Sequence, residues 1–389
     1  MDIKDILFLT HEVGSLRKPS PLIRASTNKT LTLQDFQELD KFTSLIGLTP
    51  TPIELVELLK QAGSNLKNSE EFHTGINRWR VKLNIKFKES TGIDVVDAGE
   101  WVRREMYQHV IDNVVVSGIH LLSHIRSFDY NFWRPGIYLQ TVNYNKDKSI
   151  YLQEYEWAKE FATKPLKVCI TAFNTVAEWT IRGQGNFEDL LFELIDNVYV
   201  PEVIKLLDAG VDWLQLDEPA LTTYPSHVDV FVDAWNYFVS KIENYMRSTT
   251  ILGLHNCFSD YSSLWSILPE LKRLGALVLE FANRDSWGLG IDGTSRPAYY
   301  EYAEEIKTLY NVGFNARAAF GVLNVHTDHE TPPELIRDRL LYINKLIDDP
   351  QMILAAPDCG LRQRSLLLAH KLLRNLVTGA KLAKKELKL

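Results

Sequence analysis

The sequence predicts an α/β protein folded as a single (β/α)8 barrel, with a helical insertion after the first strand. Three observations predict it. Short apolar runs recur along the chain with amphipathic, helix-like stretches between them. Most of the runs are continuously apolar, as strands covered on both faces require. The side chains able to do chemistry fall directly after the runs, at one end of the strands. Strand–helix alternation gives a parallel sheet. About eight such units in 389 residues give a closed barrel, which keeps its active site at the C-terminal ends of its strands.

The first run is DILFL (5–9), and Ser15 follows it in HEVGS. Residues from about 17 to 90 are too many for a simple loop. They contain two helical stretches, LTLQDFQELDKFTSLIGL and NSEEFHTGINRWRVKLNIKFKES, and form the insertion. DVVDA (94–98) comes next, with Glu100 after it. YLQTV (138–142) is a weaker ninth candidate, either misread as a strand or lying outside the ring. LKVCIT (166–171) and WLQLD (213–217) are joined by NFEDLLFELIDNVYVPEVIKLLDAG, whose closing Ala-Gly is a helix stop. TILGLH (250–255), ALVLEF ending at Phe281, ARAAFGVL (316–323) and MILAA (352–356) complete the set. The helical stretch before the last strand opens on Pro-Pro, which suits a helix N-terminus. The whole chain, 1–389, reads as one domain.

Hydrophobic residues make up 45% of the chain and charged residues 24%, the composition of a soluble globular protein with ample core. The net charge is −7 and no basic face is evident, which argues against nucleic acid as a partner. The basic tail KLAKKELKL reads as the frayed end of a solvated helix. The N-terminus lacks the pattern of a signal peptide, and no uncharged apolar window of about 18 residues exists, so no membrane span is expected. Three cysteines (Cys169, Cys257 and Cys359) are an odd count, which points to a reducing, cytoplasmic setting rather than to disulfides.

The polar residues that end the strands are Ser15, Glu100, Asp217 with Glu218, His255 with Cys257, Glu280, His326, and Asp358 with Cys359. Core packing gives no reason to place acids, histidines and cysteines at that end of so many strands. His255, Cys257, Glu280 and Cys359 would give one imidazole, two thiolates and a carboxylate, a set that suits tetrahedral zinc. No close Cys-x-x-Cys pair is present, so a catalytic zinc fits better than a structural one. The plainer reading pairs Glu280 with Arg284 and leaves the cysteines as buried apolar residues. Zinc held by two thiolates activates a substrate thiol by lowering its pKa, which suits alkyl transfer to sulfur better than hydrolysis. Glu280 is then the exchangeable ligand. Glu100 and Asp217 could hold an ammonium group by charge-assisted hydrogen bonds, and Ser15 with nearby backbone N–H groups a carboxylate. Against this, Asp217 could cap a helix and Glu100 could pair with Arg103 or Arg104. His326 is a candidate proton donor or acceptor, or a hydrogen-bonded loop histidine with His329 beside it.

These motifs resemble the catalytic half of the cobalamin-independent methionine synthase family. VGS (13–15), AGExxRxEMY (98–107), LQLDEPAL (214–221), HNC (255–257), LEFANRDS (279–286), GVLNVHT (321–327) and PDCGLRQR (357–364) occur in the family's order over almost the whole chain. The resemblance implies a (β/α)8 barrel that makes methionine from homocysteine at zinc. Its metal ligands map onto His255, Cys257, Glu280 and Cys359. Its homocysteine-binding residues map onto Ser15, Glu100 and Asp217, and its catalytic, proton-handling role onto His326 with Asp217. Two departures matter. The N-terminal barrel of the long family members is absent, which implies the short archaeal form and methylcobalamin or a corrinoid protein as methyl donor. The family's Thr-Gly-Pro reads ITAFNT (170–175), with Phe173 in place of the tight turn on the donor side. Two alternatives remain beside this reading: the same chemistry on another thiol, such as coenzyme M, and a zinc subunit that works only with a corrinoid partner.

Overall fold

The computed structural model describes residues 3–27, 29–63, 69–115, 120–126, 133–139, 142–144, 149–183, 185–257 and 260–388. Its frame is parallel α/β. The strands are β1 (Leu9–Thr10), β2 (Val168–Thr171), β3 (Trp213–Asp217), β4 (Ile251–His255), β5 (Leu274–Leu279), β6 (Arg317–Phe320) and β7 (Leu354–Ala355). β2 to β6 form one parallel sheet in chain order, with Asp217 opposite His255 and His255 opposite Val278. β1 pairs in parallel with β7. Single parallel bridges continue the succession: Ala318 with Ile353, His11 with Val95, and Val96 with Leu166.

Each expected run except YLQTV is found in this frame, several of them shortened. DILFL contributes only its last residue, because Phe8 turns through a left-handed φ of 42° just before the strand. DVVDA forms bridges at Val95 and Val96 and no ladder. The Asp94 carboxylate takes the Thr10 N–H and hydroxyl, each at 2.8 Å, where a strand carbonyl would otherwise accept. ARAAFGVL stops at Gly321, where a Cβ would lie 2.1 Å from Asp358 Oδ1 and 2.9 Å from the Leu279 carbonyl. Of YLQTV, residues 140–141 lie outside the described residues. Tyr138 and Leu139 end the strand Trp133–Leu139, which pairs with His120–Arg126 and Thr180–Arg182 in a separate sheet.

Two apolar clusters account for the continuous apolar runs. One draws Leu9, Val95, Trp213, Ile251, Val278, Ala319 and Leu354 from successive strands and no residue from a helix. The other packs the opposite strand faces, such as Leu214 and Leu216, against the helices. Side chains alternate between the two as the period of 2 requires. Trp213, Gln215 and Asp217 therefore share one face, with Asp217 at the C-terminal end.

The stretch between the first strand and DVVDA is helical: α1 (Ser20–Ser26), α2 (Leu33–Leu45), α3 (Ile53–Lys60) and α4 (Glu70–Thr91). A reciprocal Thr32–Asp35 capping box starts α2. Ser69 caps α4, and Gly92, at φ 92°, ends it. The long amphipathic stretch before β3 is interrupted where the sequence suggested one helix. Residues Phe187–Leu194 are α-helical, Ile195–Tyr199 form a π turn, and Val200–Asp208 resume the α-helix. Pro201 explains this, since it lacks the N–H that a regular ladder needs. No helix among the described residues is long and apolar enough to cross a membrane.

One buried histidine gives the fold a pH dependence. His109, on the helix Met106–Asn113, has Nε2 3.0 Å from the Ile150 carbonyl, a bond only the N–H form makes. Burial first, and then Arg103, push its pKa down to about 3. The unfolded chain takes up this proton near pH 6.5, so the stabilisation is complete above that pH and is lost as the pH falls toward 3. At pH 5.5 the loss is about 1.4 kcal/mol relative to neutral pH. Urea unfolding of His109→Gln at pH 7.5 and 5.5 should show a smaller decline than the parent chain.

Candidate metal centre

β4 ends at His255 and delivers Asn256 and Cys257 beyond the ladder. The turn is fixed by its own polar groups. Asn256 N–H donates to the Val278 carbonyl at 3.0 Å, and Asn256 Nδ2 donates to the Glu218 carbonyl at 2.5 Å. His255 Nδ1 donates to the Val278 carbonyl at 3.1 Å, which puts the lone pair of the neutral ring on Nε2. Nε2 is buried and has no hydrogen-bond partner among the described residues. Burial drives the His255 pKa down to about 3, so the ring is neutral. From the far side, the loop after β7 brings Cys359. One ligand atom from each of His255, Cys257 and Cys359 lies within 4.8 Å of the others.

The two thiols stand 3.6 Å apart. That is far beyond the ~2.05 Å of a disulfide. It is close to the ~3.8 Å that separates two sulfurs on a tetrahedral metal with ~2.3 Å bonds. The bond to Cys359 first, and then burial, push the Cys257 thiol upward. A divalent ion would reverse that balance. An aimed imidazole lone pair beside two close thiols fits a thiolate-preferring metal.

Glu280 is placed differently. It is fully buried one strand away, outside the group of three. Its Oε1 lies 3.2 Å from His326 Nε2 and also accepts from Asn283 Nδ2. Arg284 instead lies over the Tyr261 ring, its guanidinium carbon 5.3 Å from the centroid.

Ser15, Glu100, Asp217, His255, Cys257, His326 and Cys359 all line one cavity of about 390 Å³. Glu100 reaches it through two consecutive left-handed residues, Gly99 at φ 65° and Glu100 itself at φ 58°. A Cβ at Gly99 would lie 2.0 Å from the Asn84 side chain. The backbone cost at Glu100, about 1–3 kcal/mol for such a conformation, falls at the cavity wall. Glu100 also meets Arg103 at 3.5 Å, the ion pair open to it in the sequence, while still lining the cavity. The Asp217 carboxyl is pushed well up, by burial first and by Glu100 next, and a cation in the cavity would relieve both. Helix capping falls to its neighbour Glu218, which accepts from Asn174 N–H, Thr175 N–H and the Thr175 hydroxyl and so starts the helix Phe173–Trp179.

Sequence reasoning did not single out Glu105, Met106, Trp179, Arg362 and Gln363, which also line the cavity. Four of them sit inside motifs already noted, two before Tyr107 and two after Cys359. Trp179 ends a helix at a spacing no pattern marks. Phe173, in place of the tight turn, is fully buried and packs against Tyr199, Phe231 and Phe238. It does not line the cavity, so its effect on the donor side is not a direct contact.

Residues 42–382 match the family described as cobalamin-independent synthase, catalytic domain. The chain belongs to this family. It is therefore an enzyme, a methyltransferase of the methionine synthase kind. It is 31% identical to a methionine synthase of Thermoplasma volcanium over 333 residues, covering 82% of this chain and 92% of that one. With a methionine synthase of Thermoplasma acidophilum it shares 29% identity, over 95% of this chain and 96% of the other. Among solved structures, a B12-independent methionine synthase from Shewanella sp. W3-18-1 in complex with selenomethionine superposes with a TM-score of 0.71, at 18% identity over 98% and 99% of the two chains. That likeness establishes a shared fold.

Proposed function

We propose that the enzyme transfers a methyl group to the thiol of L-homocysteine, forming L-methionine, with zinc as its metal and a methylated corrinoid rather than methylfolate as donor. One observation carries the reading: a single cavity holds a His–Cys–Cys donor set together with the acids and the serine that an amino acid would require.

His255, Cys257 and Cys359 would hold the zinc, and Glu280 would be its fourth, exchangeable ligand. Zinc there would lower the pKa of the substrate thiol, so that a thiolate nucleophile exists at neutral pH. The chain's own residues do the rest. Asp217 and Glu100 accept hydrogen bonds from the substrate ammonium. Ser15 and the backbone beside it hold the carboxylate. His326, pushed upward in pKa by its bond to Glu280 against the cost of burial, manages protons at the cavity wall. His326 and Asn283 hold the Glu280 carboxylate beside the donor set, where it could serve as an exchangeable ligand. A sulfonate thiol such as coenzyme M would face two carboxyl groups in this cavity, so homocysteine is the better fit.

The succession of parallel pairs is read as a closed (β/α)8 ring in one domain, 1–389, with the helices of residues 17–90 as an insertion. The relatives above are covered over 92% and 96% of their length. The three cysteines form no disulfide, which suits a reducing, cytoplasmic setting.

The test is methionine formation by zinc-loaded protein with homocysteine, run in parallel with methylcobalamin and with methyltetrahydrofolate. Turnover with methylcobalamin alone is expected. Turnover with methyltetrahydrofolate alone overturns the donor assignment. Turnover with neither, while zinc remains stoichiometric, moves the case to a partner-dependent subunit.

A further inference from the structure

Beneath the cavity, one amide side chain joins the two groups assigned to the ends of the substrate. Gln215 lies two residues before Asp217 on β3 and is fully buried. Its Oε1 accepts from Lys167 Nζ at 2.6 Å. Its Nε2 donates to Asp217 Oδ1 at 2.8 Å and to the Val13 carbonyl at 2.8 Å. Val13 immediately precedes Gly14 and Ser15 on the cavity wall. Lys167 is 1% exposed, and its Nζ also approaches the Val13 carbonyl and His11 Nδ1, each at 3.2 Å.

The chemistry of these groups leaves one arrangement. An ammonium group only donates, so Lys167 must face the amide oxygen of Gln215. The NH2 of Gln215 is thereby turned to the other side, where its two hydrogens meet the two acceptors. Were the amide reversed, an NH2 would face an ammonium and an oxygen would face a carbonyl and a carboxylate. Lys167 thus fixes Gln215, and Gln215 fixes Asp217.

We infer that Gln215, oriented by Lys167, is a positioning residue for recognition of the substrate's α-amino group. It occupies Asp217 Oδ1, holds that carboxylate in one rotamer and leaves Oδ2 for the ammonium. The Val13 carbonyl takes the amide's other hydrogen but is also approached by Lys167 Nζ at 3.2 Å and Cys169 Sγ at 3.0 Å, so the Ser15 turn does not rest on Gln215 alone. The role of Gln215 rests on the reading of the cavity as a homocysteine site.

The test compares two thiols on the zinc-loaded protein by titration calorimetry: homocysteine, and γ-mercaptobutyrate, which has the same thiol and carboxylate but no amino group. Gln215→Glu keeps the shape and an oxygen for Lys167, but sets acceptors against the Val13 carbonyl and Asp217 Oδ1. Homocysteine should bind the variant about 10- to 100-fold more weakly, the range for losing a hydrogen bond to a charged group. γ-Mercaptobutyrate should bind within about threefold of the parent, and zinc per chain should be unchanged. Lys167→Met frees the amide to rotate and should cost homocysteine about three- to tenfold with the same selectivity, which covers the case of a Gln215→Glu chain that does not fold. Equal weakening of both thiols would mean a merely structural role and overturns the inference, as does unaltered homocysteine binding. If the parent chain binds no homocysteine, the functional reading falls and this inference with it. If the parent binds and the variants match it, only the inference falls.

Discussion

Cys359→Ser and Cys257→Ser are each expected to lower methyl transfer by about a thousandfold or more and to leave the chain folded. Loss of a group that merely hydrogen-bonds to a metal ligand costs roughly 10- to 100-fold in affinity or activity. Loss of a ligand itself should exceed that. The two sulfurs are 3.6 Å apart and lie on segments 102 residues apart, so neither can replace the other. A serine hydroxyl fills almost the same space but is neither a thiolate nor soft. Turnover at saturating homocysteine, metal content by mass spectrometry and a circular dichroism melt, taken together, test this. A variant that keeps full turnover removes that cysteine from the reactive centre. A variant that loses turnover while binding zinc normally places its role elsewhere.

The fold was legible because strands covered on both faces must be continuously apolar. WLQLD is the clearest case: it is a strand over its full length, Trp213 to Asp217. The edges were less legible, because side chains end or replace the ladders. Asp94 substitutes for a strand carbonyl at Thr10, and the Asp358 side chain makes Gly321 obligatory. Such contacts join residues far apart in the chain, and a local pattern does not record them. The cavity was legible for a different reason: chemistry clusters at strand ends in this architecture. Glu280 shows what remained hidden. Its place just after β5 was evident, but the side chain's turn toward His326 depends on Asn283 and on a loop 46 residues away. Gln215 and Lys167 were hidden differently. In sequence they look like polar interruptions of apolar strands, and only the pairing of β2 with β3 sets them side by side.

Lys88→Met is expected to destabilise the fold by about 3–5 kcal/mol, the cost of removing one partner from a buried ion pair. Against a typical total of ~5–15 kcal/mol, that is a large share. Lys88 Nζ lies 2.7 Å from Glu12 Oε2 and 2.6 Å from Asp97 Oδ1, and all three side chains are almost wholly buried. Even with the lysine present, burial first and Asp97 next raise the Glu12 pKa to about 7, with Lys88 opposing them. Without it, two carboxylates face each other in the interior with no cation between them, and Glu12 must be pushed further up. The sign of the pH effect follows. In the variant the folded state binds protons that the unfolded chain releases near pH 4, so the deficit is greatest at pH 8 and shrinks as the pH falls toward 5. Urea unfolding at the two pH values reads this directly, and a variant as stable as its parent at pH 8 removes the premise. Adding Glu12→Gln and Asp97→Asn to Lys88→Met takes away the stranded charges and should restore most of the stability, because a neutral buried cluster has no ion to desolvate. Glu12 and Asp97 stand just before the turns that carry Ser15 and Glu100, so the triple variant separates two roles of one ion cluster. If stability returns while homocysteine affinity stays low, the charges serve chiefly to aim those turns. If both return together, Lys88 serves the fold and the turns are held by other contacts.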